Sequence, residues 1–432
     1  MDVFEILVLV ISFVVLLSIG VPISFSIGLS TLLTMMLSIN TVPSLTTVSQ
    51  RMATGLDSFA LLAIPFFILA GQLMNSGGIA RRLIDFAKVL VGKMPGGLAF
   101  VNILAAMLFG AISGSAVAAA SAIGGFMTPI MEEEGYDKSF SAAVNITSAT
   151  TGLIIPPSNV LIVYSLASGG VSIAALFLAG YIPGVLMGLS LMFVAFIFAK
   201  KNNYKVNYTF SFGYAVKKFL DALPSLLLIF IVIGGIVAGY FTATEASAIA
   251  VLYAFILSVV FYKEIKIKDL PNILLGSAAT TAIVMLLVGT SMAMSWVMAY
   301  ENIPQNVAQA LLTISDNRII ILIIINVILL LVGTFMDMTP AVLIFTPIFL
   351  PVVVQLGVDP IHFGIMMVMN LSVGLCTPPV GSVLFVGCSV ANLPITKVIK
   401  PLIPMFIAMI VALLLVTYIP ELSLFVPQLF GY

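Results

Sequence analysis

Charge is what this chain has least of. It carries 17 basic and 17 acidic side chains in 432 residues, or 8%, where a soluble domain carries about a quarter. With 61% hydrophobic residues and a mean hydropathy of +1.25, there is too little polar surface to solvate a globule of this size. A soluble enzyme and a soluble nucleic-acid binder are excluded on that ground. The net charge is zero, so no basic field exists to attract a polyanion. Cysteine is nearly absent: Cys376 and Cys388 lie in an apolar stretch and form neither a disulfide framework nor a metal-ligand pattern. What remains is an all-α polytopic membrane protein.

A membrane helix needs about 20 mostly apolar residues. Ten stretches qualify: Phe4–Ile19, Val21–Ile39, Phe59–Met74, Phe140–Ala167, Val171–Ala199, Leu220–Gly239, Ala246–Tyr262, Asn272–Met298, Ile361–Ala391 and Leu402–Ile419. Two others, Leu98–Met131 and Ile319–Val354, are too long for one crossing and too short for two. Each is interrupted near its middle, by Ser113-Gly114-Ser115 and by Gly333-Thr334 through Asp337. They read as re-entrant helical hairpins, whose broken backbone must face protein or a water-filled cavity. Ile79–Val91 and Ile303–Ile314 are amphipathic and read as surface helices preceding each hairpin.

Basic residues cluster at Arg81/Arg82/Lys88/Lys93, at Lys200/Lys201/Lys205 with Lys217/Lys218, at Lys263/Lys266/Lys268, and at Lys397/Lys400. Threading ten spans and two hairpins places all four clusters on one side, the cytoplasmic one. The start, Met1-Asp2-Val3-Phe4-Glu5, has no basic residue or signal-peptide character. Both termini are therefore expected on the outer side.

The chain matches itself at an offset of 222, pairing Pro129/Pro351, Gly135/Gly357, Asp137/Asp359, Gly152/Gly374, Leu153/Leu375, Pro156/Pro378 and Pro157/Pro379. Most of these residues dictate backbone rather than fill lipid contact. The order of elements repeats as well, and each half holds an odd number of spans, so the second half is inverted. Inverted repeats with broken helices meeting near the midplane are the architecture of secondary transporters. A channel does not require that symmetry, although it does not forbid it.

The chemistry-bearing residues lie at the interruptions. A Pro-Pro pair inside an apolar segment removes two amide donors and frees carbonyls, which in hydrocarbon need a partner. A packing kink is the alternative, but two such pairs at symmetric positions favour a site. The tip Ser113-Gly114-Ser115 offers hydroxyls, carbonyls and the amides of a helix N-terminus, which attract carboxylates. Small-residue packing is the alternative there. Asp337 is the one acidic residue deep in a membrane segment, where a charge costs about 2.5–3.5 kcal/mol. Its hairpin holds no basic residue, which leaves a bound cation or a protonated capping Asp. From these residues Ser113, Ser115, Ser158, Asn159 and Thr339 are candidates for substrate. Ser113, Ser115, Gly152, Ile155, Pro157, Gly333, Thr334, Asp337, Thr377 and Pro379 are candidates for Na⁺, at two or more sites. An intramembrane protease built on Ser113 fails, because the lone histidine, His362, starts a helix at the opposite surface. No nucleotide-binding P-loop exists. No enzymatic role is expected.

Ser113-Gly114-Ser115-Ala116-Val117-Ala118, Glu134–Asp137, Gly152-x-x-x-Pro156-Pro157-Ser158 and Gly374-x-x-x-Pro378-Pro379-Val380-Gly381 together resemble the large membrane subunit of TRAP (tripartite ATP-independent periplasmic) transporters. The resemblance spans the chain, with Ala119 standing where many members are expected to be polar or acidic. It implies a Na⁺-coupled elevator importer of carboxylated solutes, sialic acid or a C4-dicarboxylate, in a bacterial inner membrane. It also implies a separate four-helix small subunit and a periplasmic binding protein as partners. The implied division is scaffold helices over 1–58 and 200–271, with arm helices, hairpins and transport-domain helices over 59–199 and 272–432. A stand-alone Na⁺/dicarboxylate symporter of similar hairpin architecture is the competing reading.

Overall fold

The computed structural model describes residues 3–202, 204 and 212–432; Met1, Asp2 and Lys205, used above for sidedness, lie outside them. The first half runs α1 (Val3–Ser18), α2 (Ile23–Ser38), α3 (Thr41–Leu56), α4 (Ala63–Ser76, entered through a 3-10 turn at Phe59–Leu62) and α5 (Ile79–Val91). It continues with α6 (Gly97–Ser113), α7 (Ala116–Glu133), α8 (Lys138–Thr151), α9 (Asn159–Ala167) and α10 (Ile173–Lys201). The second half opens with α11 (Phe212–Val237), α12 (Ala243–Phe255, extended by a π turn at Ile256–Phe261), α13 (Leu270–Tyr300) and α14 (Ile303–Ile314). There follow α15 (Arg318–Phe335), α16 (Met338–Gln355), α17 (Pro360–Gly374), α18 (Ser382–Val390), α19 (Ile395–Tyr418) and α20 (Glu421–Leu429). No strand occurs among the described residues.

Both hairpins form, as α6–α7 and α15–α16, and both long spans are broken, as α8/α9 and α17/α18. The two amphipathic segments are helices with the expected bounds. In α5, Ile79, Leu83, Ile84 and Ala87 are buried and Arg81 is exposed, an apolar stripe at helical spacing. Two helices were not anticipated. In α3, Thr, Ser, Gln50 and Arg51 dilute the apolar residues, so a search for long hydrophobic runs passes over it. Nine-residue α20 is too short to register as a span; it packs on α10 and α17.

The sequence repeat acquires a structural counterpart at several of its pairs. Asp137 and Asp359 cap α8 and α17, accepting from the Phe140 N–H at 2.8 Å and the Ile361 N–H at 2.7 Å. Gly135 and Gly357 take φ of 81° and 75° in the turns before them. Pro156-Pro157 and Pro378-Pro379 are both cis. The halves interlock: α7 packs on α18 of the other repeat and α16 on α9, while α4 runs along α12 and α13 along α2. Thus α4 and α13 lie with α1–α3, α11 and α12 on one side, and against the hairpins on the other through α6 and α16.

Candidate functional site

The two Pro-Pro pairs shape the breaks. Proline lacks an N–H, so Pro156 and Pro157 cannot supply the donors that the Gly152 and Leu153 carbonyls would meet in a continuing helix. The Leu153 carbonyl is recovered by the Ser158 hydroxyl, which donates to it at 2.6 Å. No turn or loop hydrogen bond among the described residues reaches the Gly152 or Ile155 carbonyl. At the second break the Thr377 N–H donates to the Gly374 carbonyl at 2.9 Å, and the Gly381 N–H crosses to the Thr334 carbonyl of the hairpin at 3.0 Å. Each break presses backbone to backbone on its own hairpin. A Cβ on Gly152 would lie 2.3 Å from the Gly110 Cα, and one on Gly374 would lie 2.6 Å from the Gly333 Cα.

The first hairpin reverses at Gly114, with φ of +62°, and Ser115 caps α7 by accepting from the Ala118 N–H at 3.2 Å. The second reverses at Met336 and Asp337, and Asp337 stands at the N-cap of α16 without a side-chain cap hydrogen bond to the helix. The Met338 amide is its close polar neighbour, and no ion pair among the described residues includes it.

Both tips open into one cavity of about 460 Å³. Ser113, Ser115, Asp337 and Thr339 line it together with Asn159, which begins α9. The starts of α7, α9, α16 and α18 all reach this space, so four half-helix N-termini surround it. Of the candidate residues, Ser158 is not brought there: its side chain is fully buried in its own elbow, on the Leu153 carbonyl. The Ile155 side chain faces a different space, an apolar cleft of about 840 Å³ between α6, α10 and α11. That cleft is larger but offers no convergence of polar groups. Thr334 and Thr377 turn their hydroxyls back onto their own helices, on the carbonyls of Leu331 and Val373, so toward a cation they have carbonyls to offer. Pro157 is buried, whereas Pro379 is exposed.

The sequence reading missed the wall opposite the tips. Gln72 and Asn75 of α4, Thr280 of α13, Ser121 of α7 and Ser382 of α18 also line the cavity. Gln72 in the apolar span and Asn75 just past its end were the available signal, since polar groups in such segments usually mark a pathway. Ala119 is fully buried in the protein core and does not line the cavity. No group of three or more His, Cys, Asp or Glu side chains able to hold a metal occurs among the described residues. The oxygens present are hydroxyls, carbonyls and one carboxylate, a donor set suited to a hard cation rather than to a soft thiophilic metal.

An inverted-repeat helical protein with two re-entrant tips and two broken spans around one central cavity is of the secondary-transporter class. Residues 10–422 match the family model described as tripartite ATP-independent periplasmic transporter, DctM component. The chain belongs to that family of large TRAP permeases. It is 56% identical, over 99% of its length and 98% of the relative's, to a Salmonella typhimurium protein named uncharacterized protein YgiK. It is 40% identical to the C4-dicarboxylate TRAP transporter large permease DctM of Rhodobacter capsulatus, covering 95% and 96% of the two chains. To the sialic acid TRAP transporter large permease SiaM of Vibrio cholerae it is 39% identical, covering 96% of each. Among solved structures, the YdaH transporter of Alcanivorax borkumensis shares the fold, with a TM-score of 0.65 at 13% identity over 88% of this chain and 89% of that one.

Proposed function

We propose that this chain is the permease of a Na⁺-coupled TRAP transporter that imports a carboxylate-containing solute, sialic acid or a C4-dicarboxylate, by an elevator movement. It would sit in a bacterial inner membrane with both termini on the periplasmic side. A periplasmic binding protein would deliver the solute, and a small membrane subunit would complete the scaffold. One relative, the isethionate TRAP permease DctMQ of Oleidesulfovibrio alaskensis, is longer, and this chain spans 65% of it; here the small subunit would be a separate polypeptide.

The observation that carries the proposal is the cavity shared by both hairpin tips, with Asp337 in it and no cationic side chain among the described residues that line it. An unpaired carboxylate at membrane depth calls for a cation. Na⁺ would be held by Asp337 with the carbonyls of Gly333, Thr334, Thr377 and Pro379 at the second tip. At the first, Ser113, Ser115 and the carbonyls of Gly152, Ile155 and Pro157 would serve. The substrate carboxylate would meet the amides at the starts of α7 and α16 near Ser115 and Thr339, with Asn159 beside them. Each Na⁺ entering across 100 mV yields about 2.3 kcal/mol and each negative charge entering costs as much. Two Na⁺ with a monoanion therefore keep a net gain of about 2.3 kcal/mol from the potential, and with a dianion the drive comes from the Na⁺ gradient alone. The unit that moves would comprise the hairpins, the broken spans and α10 and α19, with α5 and α14 as arms.

The test is uptake by proteoliposomes carrying the permease with its small subunit and binding protein. Asp337→Asn should lose most of the Na⁺ dependence of uptake, and Ser115→Ala should slow it in correctly inserted protein. Unchanged Na⁺ activation in Asp337→Asn would remove this carboxylate from the coupling site.

A further inference from the structure

The lining of the central cavity discriminates between the two solute classes. Resting on the reading that this cavity holds the transported solute, we infer that it is built for a hydroxyl-rich monocarboxylate, such as a sugar acid, and not for a compact dicarboxylate. Gln72 and Asn75 act as specificity-determining residues on its α4 wall.

Charge is the first argument. Among the described residues Asp337 is the one charged side chain lining the cavity, and no Lys, Arg or His joins it. With one Na⁺ at each elbow, Asp337 and a monoanion bring the loaded cavity to zero net charge. A dianion leaves one uncompensated negative charge at membrane depth, where an unpaired charge is costly.

The neutral polar groups are the second argument. Gln72, Asn75, Ser121, Asn159, Thr339 and Ser382 all line the cavity. None of the six side chains has a hydrogen-bond partner among the described residues, and the Ser382 hydroxyl is buried with its bonding capacity unused. Amides and hydroxyls both donate and accept. A sugar hydroxyl has the same dual character and can engage every one of them, whereas a carboxylate only accepts and leaves their acceptor oxygens unmet. These groups surround the space on both sides: Gln72 and Asn75 face it from α4, the other four from the hairpins and broken spans.

Size does not decide. A cavity of about 460 Å³ has room for about fifteen waters at about 30 Å³ each. That lies within the range usual for small-molecule sites and admits a sugar acid as well as a four-carbon dicarboxylate, so size is compatible with the inference and the charge and the polar lining carry it.

The inference is tested on the purified complex of permease and small subunit, by the melting temperature and by binding isotherms in Na⁺, with K⁺ as the control. Gluconate and N-acetylneuraminate represent hydroxylated monocarboxylates; succinate and malate represent dicarboxylates. The expected result is Na⁺-dependent binding of at least one hydroxylated monocarboxylate, tighter than either dicarboxylate. Gln72→Leu and Asn75→Leu should each weaken it by about tenfold, the loss of one or two hydrogen bonds. The Na⁺-induced melting shift without solute reports whether each variant is folded; should the Leu variants fail it, Gln72→Glu and Asn75→Asp, which keep the volume and add repulsion, replace them. Tighter binding of succinate or malate, or affinities indifferent to positions 72 and 75, overturns the inference and leaves the proposed function standing. Absence of Na⁺-dependent binding for every carboxylate overturns both.

Discussion

Two glycines set how closely each broken span approaches its hairpin. At Gly152 and Gly374 the neighbours within 3 Å of an added Cβ are backbone atoms of Gly110 and Gly333, with the Ala111 nitrogen at 3.0 Å from the first, so a methyl group cannot be accommodated by a rotamer change. Gly152→Ala and Gly374→Ala should each destabilise the folded protein by about 1–3 kcal/mol, the usual cost of overpacking, and displace the neighbouring tip. Gly125→Ala in α7 is the control, since nothing lies within 4 Å of its Cβ position. Thermal unfolding in detergent should separate the first two variants from the third; equal midpoints would mean that the close approach carries no energy. These glycines are legible in the sequence as a repeated pair, because a residue that recurs at one offset between two halves of a chain usually has a backbone duty. What they touch is not legible there, since Gly110 and Gly333 do not fall at the same offset.

At the scale of elements, α5 is strapped to the helices around it by charge. The Lys218 ammonium lies 2.6 Å from the Asp85 carboxylate, joining α11 to α5. The Arg82 guanidinium sits 3.6 Å over the Tyr262 ring and 3.3 Å from the Glu264 carboxylate, just past the π turn of α12. Helix α14, its counterpart, has no charged residue at all, so the two arms are held differently. Asp85→Ala and Lys218→Ala in a double-mutant cycle should give a coupling of at most about 1 kcal/mol that fades with salt, as partly exposed pairs do. Arg82→Ala should cost more than Lys218→Ala: its guanidinium is 3.6 Å over the Tyr262 ring, against 5.7 Å for the Lys218 ammonium over Tyr214, and it also donates to the Gly77 and Gly78 carbonyls. A coupling of zero, or one insensitive to salt, would show that the pair does not tether the arm. The amphipathic stripe of α5 was readable from residue spacing; its straps were not, since Asp85 and Lys218 lie 133 residues apart.

For the whole molecule, sidedness follows from counting. Ten crossings and two hairpins should put Lys201 and Lys266 on one face and return the chain's end to the other. In a background of Cys376→Ala and Cys388→Ala, single cysteines at Lys201 and Gly431 should label from opposite sides with a membrane-impermeant reagent. Labelling from the same side would turn a hairpin into a full crossing, or remove a span, and the proposed periplasmic orientation would fall with it. The ten crossings comprise six long helices outside the hairpins, the 16-residue helices α1 and α2, and the two broken spans.

The sequence alone determined the membrane class, the position of each long apolar element, both re-entrant hairpins, both broken spans and the inverted repeat. All of these depend on run length, on helical spacing, or on Gly, Pro and Asp acting on their immediate backbone, and such effects are local. It also singled out Ser113, Ser115, Asn159, Asp337 and Thr339, because polar groups stand out in apolar segments. Only the tertiary structure decided that these five share one cavity, that Gln72 and Asn75 form its opposite wall, and that Ser158 turns inward to repair its own elbow. Those outcomes depend on α7 lying against α18 and α9 against α16, contacts between repeats some two hundred residues apart that no local pattern specifies.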